Sequence, residues 1–137
     1  MVTYNPLCVK PFTNLLFHQS AKGALCRSFF PNLVQRLKTK IPITAEFTAL
    51  VTGHGKTRSY LHRFKLADDP MCLCNEGQQT SDHIPFECNI FEAQRGSMIK
   101  KIADSGGSWP PAKDELTTKY LQAFSIFVKS IDFQKLN

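Results

Sequence analysis

From Lys22 onward, apolar positions recur at intervals of three and four residues, the spacing that lines one face of an α-helix. Leu25 and Phe29 share a face. Pro31 stops or restarts that helix, and Leu33, Val34 and Leu37 continue it. Ile41-Pro42-Ile43 breaks the chain again. Thr44 then reads as the N-cap of a helix through Val51, with Glu46 in its first turn to favour the helix dipole. Gly53-His54-Gly55 ends that helix, the two glycines supplying positive φ, and a short basic helix follows from Lys56 to about Phe64. Residues 65–80 have the composition of a loop. A helix resumes near Cys88, with Phe91, Met98, Ile99 and Ile102 on one face, and Gly96 lowers its propensity by about 1 kcal/mol. After the break at Ser105-Gly106-Gly107-Ser108, Trp109-Pro110-Pro111 leads into the strongest amphipathic stretch. There Leu116, Tyr120, Ala123, Phe124, Phe127, Val128 and Ile131 predict one long final helix. The pattern shows neither an internal repeat nor a strand-rich segment, so the fold expected is mostly α.

Residues 1–21 lack this periodicity and contain Pro6 and Pro11, which suits a poorly ordered tail ahead of a helical domain over 22–137. Leu15-Leu16-Phe17 is too short an apolar run for a secretory signal, and no segment approaches the roughly 18 apolar residues of a membrane span. Three of the five cysteines fall with a histidine in one short window, which argues for metal-binding thiols in a reducing, intracellular compartment rather than a disulfide framework.

That window is the most specific chemistry in the chain. Cys72 and Cys74 are separated by one residue, eight residues separate Cys74 from His83, and four separate His83 from Cys88. Three thiolates and an imidazole suit a tetrahedral zinc ion, and closed sites of this composition are structural rather than catalytic. Alternate residues of an extended segment point to one side, so Cys72 and Cys74 can share an ion. Zinc–sulfur bonds of about 2.3 Å require sulfurs roughly 3.8 Å apart. His83 and Cys88 can close over one helical turn if Pro85 distorts it. The spacing departs from the retroviral knuckle, which has two residues between its first cysteines and four before its histidine. The competing reading is three buried thiols around a core histidine.

Charge changes the picture further. The net charge is +6, and residues 36–65 alone hold Arg36, Lys38, Lys40, Lys56, Arg58, Arg63 and Lys65 against the single acid Glu46. Such a concentration suits a polyanion, because Lys and Arg displace condensed counterions from phosphates; otherwise it is a solvated helical face. Gly53 to Thr57 ends in Gly-Lys-Thr, but a phosphate-binding loop needs glycine where Leu50 stands, on a strand-to-helix turn. Nucleotide triphosphate binding is therefore excluded. Lys56 and Arg58 instead fall at a helix start, whose free N–H groups could also meet a phosphate. Tyr60 and Phe64 flank cations and could stack on bases, although the commoner role on a short helix is core. His54, His62 and His18 lack a nucleophile at a telling distance, and Cys8 and Cys26 lack partners at metal spacing.

The run Thr52-Gly53-His54-Gly55, then Tyr60-Leu61 and Arg63-Phe64, followed by the Cys72, Cys74, His83 and Cys88 positions, resembles the C-terminal region of arthropod-type non-LTR retrotransposon polyproteins. Phe29-Phe30-Pro31 with Arg36-Leu37, and Trp109-Pro110 with the helix to Phe133, are similar to the same tail. The resemblance covers about residues 22–137. It implies descent from a polyprotein with reverse transcriptase and often RNase H domains. It does not carry the catalytic centres over. Asp68-Asp69 is followed by Pro70 and lacks the preceding aromatic residue of the polymerase motif, and the spread carboxylates of an RNase H centre are not recognisable. The expectation is a non-catalytic helical domain with an inserted knuckle-like zinc site at 72–88. It would bind RNA or DNA without strong sequence preference through the seven cations. The rival is a protein-interaction module working through its last helix, or a relic without function.

Overall fold

Side chains that favour helix starts stand at several of the breaks in the hydrophobic pattern. Asn32 accepts a hydrogen bond from the Gln35 amide at 3.0 Å, and Thr44 accepts one from the Phe47 amide at 3.1 Å. Each satisfies a backbone donor that the first helical turn leaves without a partner. The computed structural model describes residues 23–137; the segment 1–21 expected to be disordered, with Cys8 and His18, lies outside the described residues. Within them the helices are α1 (Ala24–Phe29), α2 (Leu33–Lys38), α3 (Ala45–Thr52), α4 (Arg58–Arg63), α5 (His83–Phe86), α6 (Glu92–Asp104), α7 (Lys113–Leu116), α8 (Leu121–Lys129) and α9 (Phe133–Leu136). A 3-10 turn, Asn89–Phe91, leads into α6. The fold is mostly α, as the periodicity predicts, and the described residues contain no strand beyond an isolated antiparallel bridge between Met71 and Gln78. Among them no helix is long and apolar enough to cross a membrane.

The core is built on aromatic side chains. Phe124 of α8 is fully buried and meets Phe29 of α1, with ring centroids 6.0 Å apart, and Phe47 of α3 at 5.6 Å. Phe127, further along α8, meets Phe91 edge-on at 5.8 Å and so ties in the segment that follows the cysteine window. Aromatic pairs in these geometries contribute about 0.5–1.5 kcal/mol beyond the apolar area they bury. Two helices and the 3-10 turn thus converge on α8, and Cys72, Ile84 and Cys88 join the same buried cluster.

The final amphipathic stretch is not one helix. Leu116, Tyr120, Phe124, Phe127, Val128 and Ile131 are all buried as the pattern predicts, but the chain turns between α7 and α8 and again before α9. The buried Thr117 is the reason at the first turn. Its hydroxyl donates to the Phe29 carbonyl at 2.6 Å and lies 3.0 Å from the Asp114 carbonyl, tying the turn to the end of α1. At the second, Asp132 accepts from the Gln134 amide and starts α9 afresh.

The turn after α3 also differs in detail. Gly53 does adopt positive φ, 73°, and its amide closes α3 on the Ala49 carbonyl. Gly55 does not. A Cβ there would collide with the Cβ of Ala49, so position 55 demands glycine because the chain crosses directly over α3.

Candidate metal centre

Cys72, Cys74, His83 and Cys88 converge, their ligand atoms all within 4.8 Å of one another. The Sγ atoms of Cys72 and Cys88 are 3.6 Å apart, and Cys74 Sγ is 3.2 Å from His83 Nε2. The sulfur–sulfur separation fits the roughly 3.8 Å that a tetrahedral ion with thiolate bonds requires. The four residues could hold a metal ion, and three thiols with one imidazole are consistent with zinc.

Local hydrogen bonds explain how the window reaches this shape. The Cys72 amide donates to the Gly77 carbonyl at 2.8 Å and the Asn75 amide to the Cys72 carbonyl at 3.0 Å. Asn75 takes φ 62°, a left-handed conformation that asparagine tolerates better than most residues. The chain therefore reverses tightly after Cys74. His83 opens the one-turn helix α5, in which Pro85 is the third residue, and the Cys88 amide returns to the His83 carbonyl at 2.8 Å. The distorted single turn expected between His83 and Cys88 is what forms.

Two supporting residues were not visible in the sequence. Glu87 Oε2 lies 3.3 Å from His83 Nδ1, on the opposite side of the ring from the thiols. A carboxylate there fixes the tautomer that leaves Nε2 free for a metal. Gln79 is fully buried; its Nε2 faces Cys72 Sγ at 3.9 Å and the Leu136 carbonyl at 3.5 Å. Among the thiols themselves, burial acts to raise Cys74, but the Glu76 amide and hydrogen bonds from His83, Cys72 and Cys88 outweigh it and hold Cys74 at about 7. Burial, helped by Cys72 and Cys74, pushes Cys88 up to about 12 despite the Ile90 amide. A cation at this point favours the thiolate form, and metal binding displaces the proton. Four protein ligands would leave a tetrahedral ion no open position, which suits a structural rather than a catalytic ion.

The basic residues fall in two groups. Arg36 on α2 is half-buried with its guanidinium 5.1 Å from the Phe30 ring centroid, and Lys38 and Lys40 follow it, exposed. Lys56, Arg58, Arg63 and Lys65 flank or lie on α4; Arg58 is half-buried and its Nε donates to the Asp69 carbonyl at 3.3 Å, while the other three are exposed. Among the described residues none of the seven is in an ion pair. The expected free amides at the start of α4 are not there. Gln79 Oε1 takes the Arg58 amide at 2.8 Å, the Gln79 backbone carbonyl takes Ser59, and Thr57 Oγ1 takes Tyr60. Only side chains of this helix can reach an anion.

Phe64, read from spacing as core, is 55% exposed, and Tyr60 is half-buried. Lys65 at φ 58° closes α4, its amide on the His62 carbonyl and that of Leu66 on the Leu61 carbonyl, which turns the chain before Phe64 can reach the interior. His54 and His62 are exposed; the first packs on Tyr60 and the second contacts the Ala67 carbonyl at 3.1 Å. Cys26 stands apart from the cluster, half-buried, its thiol raised by that burial against the pull of Arg36 and Arg27.

With this geometry in hand, comparison with known proteins is informative. A stretch of 47 residues, 34% of this chain, is 45% identical to the Retrovirus-related Pol polyprotein from type-1 retrotransposable element R1 of Popillia japonica, and covers 19% of that protein. A second Pol polyprotein of element R1, from Bradysia coprophila, is 29% identical over 77 residues, 56% of this chain and 8% of the relative. The R1 2 element of Nasonia vitripennis contributes a third, 28% identical over 46 residues, 34% of this chain and 11% of the relative. The curated homologues are R1 retrotransposon Pol polyproteins of arthropods. The matched stretches span less than a fifth of each R1 relative's length. No family model matches the chain, and no solved structure matches it.

Proposed function

We propose that this chain is a non-catalytic nucleic-acid-binding domain derived from an R1-type Pol polyprotein, with a structural zinc ion at Cys72, Cys74, His83 and Cys88. The observation that carries the reading is the position of Gln79. One buried side chain faces a thiol of the metal cluster and accepts the first amide of the basic helix α4. An ion that orders residues 72–88 thereby orders the segment bearing Lys56, Arg58, Arg63 and Lys65. Those cations lack carboxylate partners among the described residues, which leaves them available to phosphates. In a longer polyprotein such a domain helps hold template RNA or target DNA, without base-specific readout.

The rival reading needs an apolar face on the last helix. Ala123, Phe124, Phe127 and Val128 of α8 are buried in the core, and Ile126 is the large apolar side chain that α8 exposes. That weakens the case for a protein-docking module acting through this element.

Salt titration tests the proposal. Affinity for single strands falls with a log–log slope of roughly 0.7 per phosphate contact, so three or four contacts give a slope of about −2 to −3. Replacing Lys56, Arg58 and Arg63 together by Ala flattens the slope and weakens binding equally across sequences, because phosphate contacts do not read bases. Weak, salt-insensitive binding that the triple change leaves untouched overturns the reading.

A further inference from the structure

Large apolar side chains left in solvent are not spread evenly over this molecule. Of the seven among the described residues, Ile43, Phe64, Leu66, Met71, Leu73, Ile90 and Ile126, four fall between residues 64 and 73, the connection from α4 into the metal cluster. Single exposed apolar residues are ordinary, whereas four along one ten-residue connection set this segment apart. This run has an aromatic ladder at its base. His54 packs against Tyr60 at a tilt of 32° with ring centroids 5.5 Å apart, and Tyr60 against Phe64 at 51° and 4.9 Å. Residues four apart on a helix share a face, so α4 places Tyr60 and Phe64 together, and the turn closed by Gly53 brings up His54.

The surroundings of the ladder are cationic and hydroxylated. The Arg63 guanidinium is 5.9 Å from the Phe64 ring centroid, and exposed Lys65 follows. Beside Tyr60 is an open depression lined by Gly53, Ser59, Arg63, Thr80 and Ser81. The nearby acids do not reverse the sign: Asp68 and Asp69 are two charges against the four of Lys56, Arg58, Arg63 and Lys65. An aromatic surface with cations and hydroxyl donors at its edge matches an unpaired nucleotide, with the base on a ring and the phosphate beside it.

We propose that His54, Tyr60 and Phe64 form a stacking platform for unpaired nucleobases, which makes single strands the preferred ligand of this domain. The inference rests on the nucleic-acid reading above and adds base contact to it. It leaves phosphate contact to the lysines and arginines, so the two can fail separately.

The test uses the full chain in zinc-containing buffer and three fluorescent probes of equal length: a thymidylate single strand, an abasic strand with the same phosphates, and a duplex. The platform predicts that the thymidylate strand binds tighter than the abasic strand by about fivefold to a hundredfold, the range per stacked base. Phe64→Ala abolishes that advantage and leaves abasic binding unchanged. Phe64 is exposed, so the change should not disturb folding; Phe64→Trp keeps the advantage, while Phe64→Leu, still apolar, loses it. Equal binding of the thymidylate and abasic strands overturns the platform while leaving the phosphate reading intact, as does an advantage that survives Phe64→Leu. No binding of any probe at low salt overturns both and points to a protein partner for the apolar run.

Discussion

The side-chain carbonyl of Gln79 accepts the backbone amide of Arg58 at 2.8 Å, across 21 residues of sequence. This one contact joins the reversal that carries Cys72 and Cys74 to the helix that carries the cations. Gln79→Leu keeps the approximate volume but removes the acceptor and leaves the Arg58 amide without it. A fully buried donor without its partner costs about 1–3 kcal/mol, and this partly buried amide should lose about 1 kcal/mol. A lowered Tm, together with weaker zinc binding in a chelator competition, is the expected result. An unchanged Tm would show that the contact carries no weight.

Metal removal gives the second prediction. Chelation should expose residues 72–88 to protease and lower Tm, because the proposed ion, bound by the folded window alone, would stabilise the folded state. The helical circular dichroism should largely persist, since Phe29, Phe47 and Phe124 pack without any ligand residue between them. Elemental analysis should find one zinc per chain, lost in Cys88→Ser. Protein purified without chelator that contains no zinc would refute the assignment.

The two glycines after α3 should respond differently to alanine. Gly53→Ala strains a backbone at φ 73° and costs about 1 kcal/mol. Gly55→Ala drives a methyl into Ala49 of a closely packed helix, and overpacking of that kind costs about 1–3 kcal/mol. Pairing Gly55→Ala with Ala49→Gly opens space and should recover part of the loss. Thermal melts of the three variants decide it.

Acid should reveal the role of Glu115. Its Oε2 accepts the Ala112 amide at 3.0 Å and Lys119 lies 3.3 Å from Oε1, which together hold the carboxyl below its ordinary value. A depressed folded-state pKa contributes stability above the unfolded value and loses it as pH falls through the folded one. Wild type and Glu115→Gln should therefore differ in Tm at neutral pH and converge in strong acid. A difference that grows on acidification has the wrong sign.

Much of this was legible in residue spacing. The helix over Ala45–Thr52 with its Thr44 cap, the buried stripe of Phe91, Met98 and Ile102, and the clustering of three cysteines with His83 all follow from local patterns. What escaped was set by contacts far apart in the chain. Thr117 looks like an ordinary helical position until its hydroxyl meets the Phe29 carbonyl and turns the chain. Arg95 falls on the stripe's own face and is buried, with Nη1 lacking a hydrogen-bond partner among the described residues, yet its type reads as solvated. Gln79 and Glu87 have no pattern to give them away, because a supporting glutamine or glutamate is defined by what it touches. Phe64 differs for the opposite reason: an aromatic on a short helix is more commonly core, and Lys65 in the left-handed region turns the chain first.

The committed amides at the start of α4 have an evolutionary consequence. A helix that offers an anion only long side chains does not prescribe where each charge must stand. Lysine can replace arginine, or a cation can move by a turn, and the field over the surface barely changes. Gly55, Gln79 and the four ligands each answer to a single local geometry and have no such latitude. Sequence drift in this domain should therefore erode the architecture long before it erodes the charge.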